Sequence, residues 1–173
     1  MPAMKPLSEM RRHIGQHILQ AMCKCAMPEE CSLKAVGDEP CGFCGVDACI
    51  TNLTSTVNGK YAVTSNCPYH FEGMKYQNAK TYTTSAPCTN VPIHCTLCEL
   101  SSAGKPQTIW KYNAIYHMAI AHATSSGNQP HSISGQMLID IHITKEEDKK
   151  LKIPIENTLV YREENQFQIL TVS

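Results

Sequence analysis

"VPIHCTLCELSSAGKPQTIWKYNAIYHMAIAHA", residues 91–123, carries a cysteine pair followed by a histidine pair. Cys95 and Cys98 form a C-x-x-C knuckle, whose two intervening residues let both sulfurs converge on one ion from a tight turn. His117 and His122 have four residues between them, within the range used by two-Cys, two-His fingers. On a regular helix an i, i+5 pair sits about 140° apart, so both rings reach one ion only if the helix tightens or ends between them. "ATSSG" (123–127) follows at once and supplies the stop. Eighteen residues, Glu99 to Tyr116, separate the two pairs, where a finger usually has about twelve. "SSAGKPQ" (101–107) is a loop composition that takes up the excess. After it, Trp110, Ala114, Met118 and Ala121 recur at helical spacing with His117 on the same face, which predicts a finger helix between Pro106 and His122. The plain alternative is a free-thiol knuckle beside an ordinary amphipathic helix.

More candidate ligands lie upstream. Leu7, Met10, Ile14, Ile18 and Met22 predict an amphipathic helix over about Ser8–Met22. His13 and His17 sit at i, i+4 on it, so their rings share one face. "CGFCG" (41–45) is the strongest single knuckle, because a Gly after each Cys lets the backbone turn and aim amides at the thiolates. Its two further ligands are either His13 and His17 or Cys67 and His70, and ligand counting favours the first. Cys49, Cys67, His70 and Cys88 then remain for a third site, with spacings of seventeen, two and seventeen residues. Cys49 in "ACITNL" also reads as a buried strand thiol. Cys23, Cys25, Cys31 and His94 are assigned no metal. The expectation is two or three zinc ions.

Composition supports ligands over disulfides. The 173-residue chain is 42% hydrophobic, but that count includes ten Cys, and only 6% of residues are aromatic, so its apolar core is modest and staples would help it fold. The start, "MPAMKPLSEMRRHIGQHIL", has no uninterrupted apolar run and does not read as a signal peptide. An intracellular chain keeps its thiols reduced, and spaced Cys and His then read as metal ligands. No stretch has the length of a membrane span.

Between the knuckles, "ACITNL", "YAVTSN" and "KTYTT" read as short strands, with an Asn-Gly turn at Asn58–Gly59. Beyond the His pair, "TKEEDKKLKIP" (144–154) predicts a short helix with Thr144 and Glu147 as a capping box and Pro154 after its end. The fold class expected is α+β: a small zinc-stabilised domain over residues 8–123, then a polar linker with a small helix and hairpin extension over 124–173.

"RRHIGQHIL", "CGFCG", "NCPY", "PCTNVPIHCTLC" and "IWKYNAIYH", in that order, resemble a family of Cys/His-rich proteins found in many copies in mushroom-forming fungi. The resemblance covers about residues 8–123 and implies a domain extent but no activity. By motif alone, the 95–122 segment is also similar to zinc fingers of transposase-derived proteins.

Two partner classes remain. The leading expectation is nucleic acid, contacted by Lys111, Asn113 and Tyr116 on the finger helix and by Arg11 and Arg12 near the start, which would place the protein in the nucleus. Against it, the formal net charge is zero, and phosphate neutralisation supplies most non-specific affinity. The alternative is a zinc-held protein-interaction adaptor. An enzyme is not expected. "HIGQH" (13–17) has metalloprotease spacing but Ile14 where the general base belongs, and "HMAIAH" (117–122) has one residue too many and Met118 at that place.

Overall fold

The computed structural model describes residues 6–23, 39–47, 49–122 and 140–158. Cys25, Cys31 and the expected terminal hairpin beyond residue 158 lie outside the described residues. The described residues form a small α+β fold built on one long helix, two antiparallel hairpins and several short helices.

Helix α1 spans Leu7–Met22. Pro6 stands just before it, where a fixed φ and a missing N–H cost nothing. Its apolar side presents Ile18 and Leu19, both fully buried, with Ile14 and Met22 beside them. It ends at Cys23, whose N–H closes on the Leu19 carbonyl. The expected helix is therefore present within about a residue at each end.

Strands β1 (Thr51–Ser55) and β2 (Tyr61–Ser65) pair antiparallel, with Leu53 opposite Val63. The turn places Gly59 at φ +73°, a conformation that favours glycine, as the Asn-Gly pair predicts. "KTYTT" forms no strand. Helix α2 (Tyr76–Ala79) precedes it, and Lys80 N–H and Thr81 Oγ1 bond back to that helix's carbonyls, which diverts the backbone from a ladder.

Strands β3 (Pro92–Cys95) and β4 (Gln107–Trp110) form the second hairpin, with Ile93 opposite Ile109. Here the expected finger helix is corrected. Trp110 and Ile109 lie on β4, a 3₁₀ turn covers Lys111–Asn113, and helix α3 covers only Ala114–Ala121. The apolar positions at 110, 114 and 118 match a helical period, but Ile109 and Trp110 pair with β3 instead, so tertiary pairing overrides the local pattern. The result is a ββα unit.

Helix α4 (Lys145–Lys150) has Thr144 as N-cap, its Oγ1 accepting the Glu147 N–H at 3.2 Å. The carboxylate of Glu147 does not close the capping box. It is 1% exposed and turns inward. Leu151 and Ile153, just beyond α4, pack with Ile18, Leu19, Cys88 and Tyr112 in one apolar cluster. Leu151 and Ile153, with Ile143 beside them, thus share a core with α1.

Among the described residues, no helix is long and apolar enough to cross a membrane.

Candidate metal centres

The first centre stands on the ββα unit. Cys95 closes β3, Cys98 follows in the turn, His117 projects from α3, and His122 caps its end. Cys98 Sγ lies 3.3 Å from both His117 Nε2 and His122 Nε2, and Cys95 Sγ lies 3.4 Å from His122 Nε2. The i, i+5 difficulty is resolved as the sequence requires. Helix α3 ends at Ala121, and His122, at φ −123° and ψ 12°, leaves the helical path and swings its ring back beside His117. The two rings stand 5.2 Å apart. His117 Nδ1 faces Glu39 Oε1 at 3.3 Å, the kind of outer carboxylate that orients a ligating imidazole.

The electrostatics of this cluster are those of a site prepared for a cation. Burial and the neighbouring Cys95 push the Cys98 thiol up to about 12. Cys95 is shifted the other way. Burial opposes its ionisation, but the His117 ring and the backbone amides of Leu97 and Cys98 outweigh burial and lower it. His117 in turn is raised: burial disfavours its charge, and Cys95 and Glu39 more than offset that. The two shifts favour opposite charges on Cys95 and His117, and a divalent ion bound among the four groups would displace their protons.

The second centre is built from four thiols, Cys41, Cys44, Cys49 and Cys67, whose sulfurs all lie within 4.8 Å of one another. The CGFCG knuckle supplies the first two. Gly45, at φ +83°, returns its N–H to the Cys41 carbonyl at 2.7 Å, and the Phe43 amide points at Cys41 Sγ at 3.4 Å. Gly42 is required by close approach, since a Cβ there would stand 2.3 Å from the Trp110 ring. Phe43 is fully buried edge-on against Trp110, which joins this knuckle to the ββα unit. Cys49 arrives just before β1, with its Sγ 3.5 Å from Cys44 Sγ, and Cys67 arrives just after β2. The β1–β2 hairpin thus brings together two thiols far apart in sequence. Burial raises Cys41 and Cys49, Cys49 to about 12, and their sulfur neighbours raise both further. Four thiols this close, two of them buried and two half-buried, cannot all ionise without a cation among them.

This grouping corrects the expected ligand sets. His13 and His17 do not join Cys41 and Cys44; they face one another on α1, Nε2 to Nε2 at 3.2 Å. His70 holds no place in either centre. Its ring lies 5.0 Å from the Phe43 ring, and the turn that returns its N–H to the Cys67 carbonyl carries it past the sulfurs. Cys88 belongs to the α1 core, 3.7 Å from the Arg11 guanidinium and against Gly15. The expected Cys49, Cys67, His70 and Cys88 site is therefore not formed. The informative signal was Cys49 itself, four residues past the knuckle and close enough in sequence to fold back on it. His94, given no metal, bonds the Leu53 carbonyl at 2.8 Å and ties the two hairpins together.

The candidate nucleic-acid contacts fare unevenly. Lys111 is buried, and its Nζ donates to Thr89 Oγ1 at 2.7 Å. Asn113 is 2% exposed and lines a small cleft of about 100 Å³ beside Cys41 and Cys49. Arg11 is half-buried, donating to the carbonyls of Asn90 at 2.6 Å and Cys88 at 2.9 Å, and so staples α1 to the strand-bearing half. Tyr116 is half-buried, and Arg12 is exposed. The sequence pattern placed Lys111 and Asn113 on an open helix face; the 3₁₀ turn at 111–113 instead directs both inward.

No family model, curated protein or solved structure matches the chain.

Proposed function

We propose that the chain is a zinc-stabilised protein-interaction module with no catalytic role of its own. The two centres support the metal half of this reading. Two-Cys, two-His and four-Cys sets are the closed tetrahedral donor sets of structural zinc, and each offers four protein ligands with no position left for a reacting water. Soft thiolates in tetrahedral array suit zinc, with iron the principal competitor at the four-thiol set.

The partner half rests on one observation: two of the cations that the sequence offered for a phosphate-binding face, Lys111 and Arg11, are spent inside the fold. Lys111 and Arg11 are engaged by Thr89, Asn90 and Cys88, and the chain's formal net charge is zero. Neutralising phosphates is the main source of non-specific nucleic-acid affinity, so a neutral chain in which these two candidate contacts turn inward is poorly built to use that face. The outward apolar surface concentrates elsewhere. Val46, Ile50, Val57, Tyr61 and Tyr69 are all exposed, within one stretch around the first hairpin and the four-thiol centre. Exposed apolar groups held on a rigid metal-tied hairpin suit a protein partner.

The test has two arms. In gel shifts at low salt the full zinc-loaded chain should not bind random duplex DNA or RNA; binding whose affinity falls steeply with salt would replace this reading with the nucleic-acid one. In the second arm, a partner cross-linked in nuclease-treated lysate is purified and titrated against the full chain. Ile50→Asp/Val57→Asp should weaken that binding at least about tenfold, about 1.4 kcal/mol, with zinc content unchanged. Equal affinity in wild type and variant would sink the hairpin as the contact surface.

A further inference from the structure

We propose that His13 and His17 bind a third divalent ion of the zinc class, separate from both four-ligand centres. The two residues lie one turn apart on α1, and at that spacing imidazoles share a face. Their rings are set edge to face, centroids 4.5 Å apart at 87°, and they converge on one point: Nε2 of one stands 3.2 Å from Nε2 of the other.

That distance can be judged against tetrahedral geometry. With Zn–N near 2.05 Å, two nitrogens on one zinc ion stand about 3.3 Å apart. With Zn–S near 2.3 Å, a sulfur and a nitrogen stand about 3.5 Å apart, and two sulfurs about 3.8 Å. The corresponding contacts in the two four-ligand centres are 3.3–3.4 Å between sulfur and nitrogen and 3.5 Å between Cys44 and Cys49. The 3.2 Å edge between His13 and His17 meets its tetrahedral value as closely as those edges meet theirs. It is the one pair of imidazole nitrogens on α1, and it spans an ion-sized gap.

The rest of the pair's surroundings agrees. Among the described residues His17 Nδ1 is buried with no hydrogen-bond partner, so the Nε2 side carries that ring's polar contact there. The backbone beneath is firmly held: α1 buries Ile18 and Leu19, and Arg11, two residues before His13, is fixed to the carbonyls of Cys88 and Asn90. Two imidazoles on a fixed helix need no reorganisation to chelate. The other use of the same contact is a simple N–H···N bond between two neutral rings, which would need no ion. Neutral imidazole is a good ligand for zinc, copper and nickel, and zinc is the ion proposed above for the two four-ligand centres.

The experiment uses the full chain equilibrated with micromolar zinc, desalted and weighed for metal. Wild type should carry three ions and His13→Ala/His17→Ala two. On cobalt substitution, the variant should keep the sulfur-to-cobalt absorption of the thiolate centres at full intensity. A second measurement needs no variant. In protein loaded with cadmium-113, both Nε2 nitrogens should show one-bond coupling to one cadmium nucleus that is not coupled to any cysteine of the two centres. Two ions in both proteins, or uncoupled His13 and His17 nitrogens in the cadmium protein, would overturn the proposal and leave the hydrogen bond as the whole of the contact. Neither outcome bears on the partner class proposed above, and loss of the thiolate bands would count against the two centres rather than against this pair.

Discussion

Replacing Glu147 with alanine should cost this protein about 3–5 kcal/mol, although the residue lies outside both metal centres. Glu147 Oε1 accepts from the Thr89 amide at 2.9 Å, from Thr89 Oγ1 at 2.5 Å and from the Tyr112 hydroxyl. Thr89 Oγ1 in turn accepts from Lys111 Nζ at 2.7 Å. All four residues are at least nine-tenths buried. Hydrogen bonds to a charged group contribute about 1.5–3 kcal/mol each, but three of them do not add, because the Thr89 amide keeps the Tyr112 hydroxyl as an acceptor. What cannot be recovered is the carboxylate's charge. Lys111 is already pushed down by burial, with Glu147 the leading opposing pull, and without it the ammonium is a buried cation with no counter-charge in this network. The two charges are bridged by the Thr89 hydroxyl, and removing one of them from this buried network carries the penalty quoted, a large part of the roughly 5–15 kcal/mol that a domain of this kind possesses. Urea unfolding followed by circular dichroism measures it, at one fixed free zinc concentration because bound metal enters stability by mass action. Adding Lys111→Met to the alanine variant should recover at least about 1 kcal/mol, since it removes the stranded charge. A loss under about 1 kcal/mol in Glu147→Ala, or no recovery in the double variant, would refute the reasoning.

Cys49→Ser should remove one ion of zinc per chain and His70→Ala none, read by metal analysis of the purified variants; the reverse pattern would return His70 to the ligand set. Gly42→Ala forces a Cβ to within 2.3 Å of the buried Trp110 ring and should cost about 1–3 kcal/mol, with a changed Trp110 fluorescence maximum as the local sign; an unshifted spectrum at unchanged stability would mean the knuckle can slide off the ring. Chelation should unfold much of the chain by circular dichroism, and zinc return should release protons, because a thiol is largely protonated at neutral pH without metal and must ionise to ligate. Zinc affinity should therefore rise with pH. Calorimetry in two buffers of different ionisation enthalpy gives the proton count, and identical heats in both would contradict ligation by thiolates.

Much of the fold could be read locally, where one residue's neighbours in sequence decide its state. The stripe of Ile14, Ile18 and Met22 announced α1; the Asn-Gly pair announced the first hairpin's turn; Thr144 announced the start of α4. The first metal centre was legible too, because both its pairs carry ligand spacing within a few residues and the one obstacle, the i, i+5 offset, came with its own remedy in the helix stop at His122. What the chain's order did not disclose was everything settled by contacts across distance. Trp110 has the helical period of Ala114 and Met118, yet pairing with Pro92 places it in a strand. Lys111 and Asn113 read as an open polar face until the 3₁₀ turn buries them. Four thiols and several histidines can be divided into tetrahedral sets in many ways at equal sequence cost. Only the β1–β2 hairpin, by returning Cys67 to the side of Cys49, decides that the CGFCG knuckle takes two more sulfurs and leaves His13 and His17 to one another.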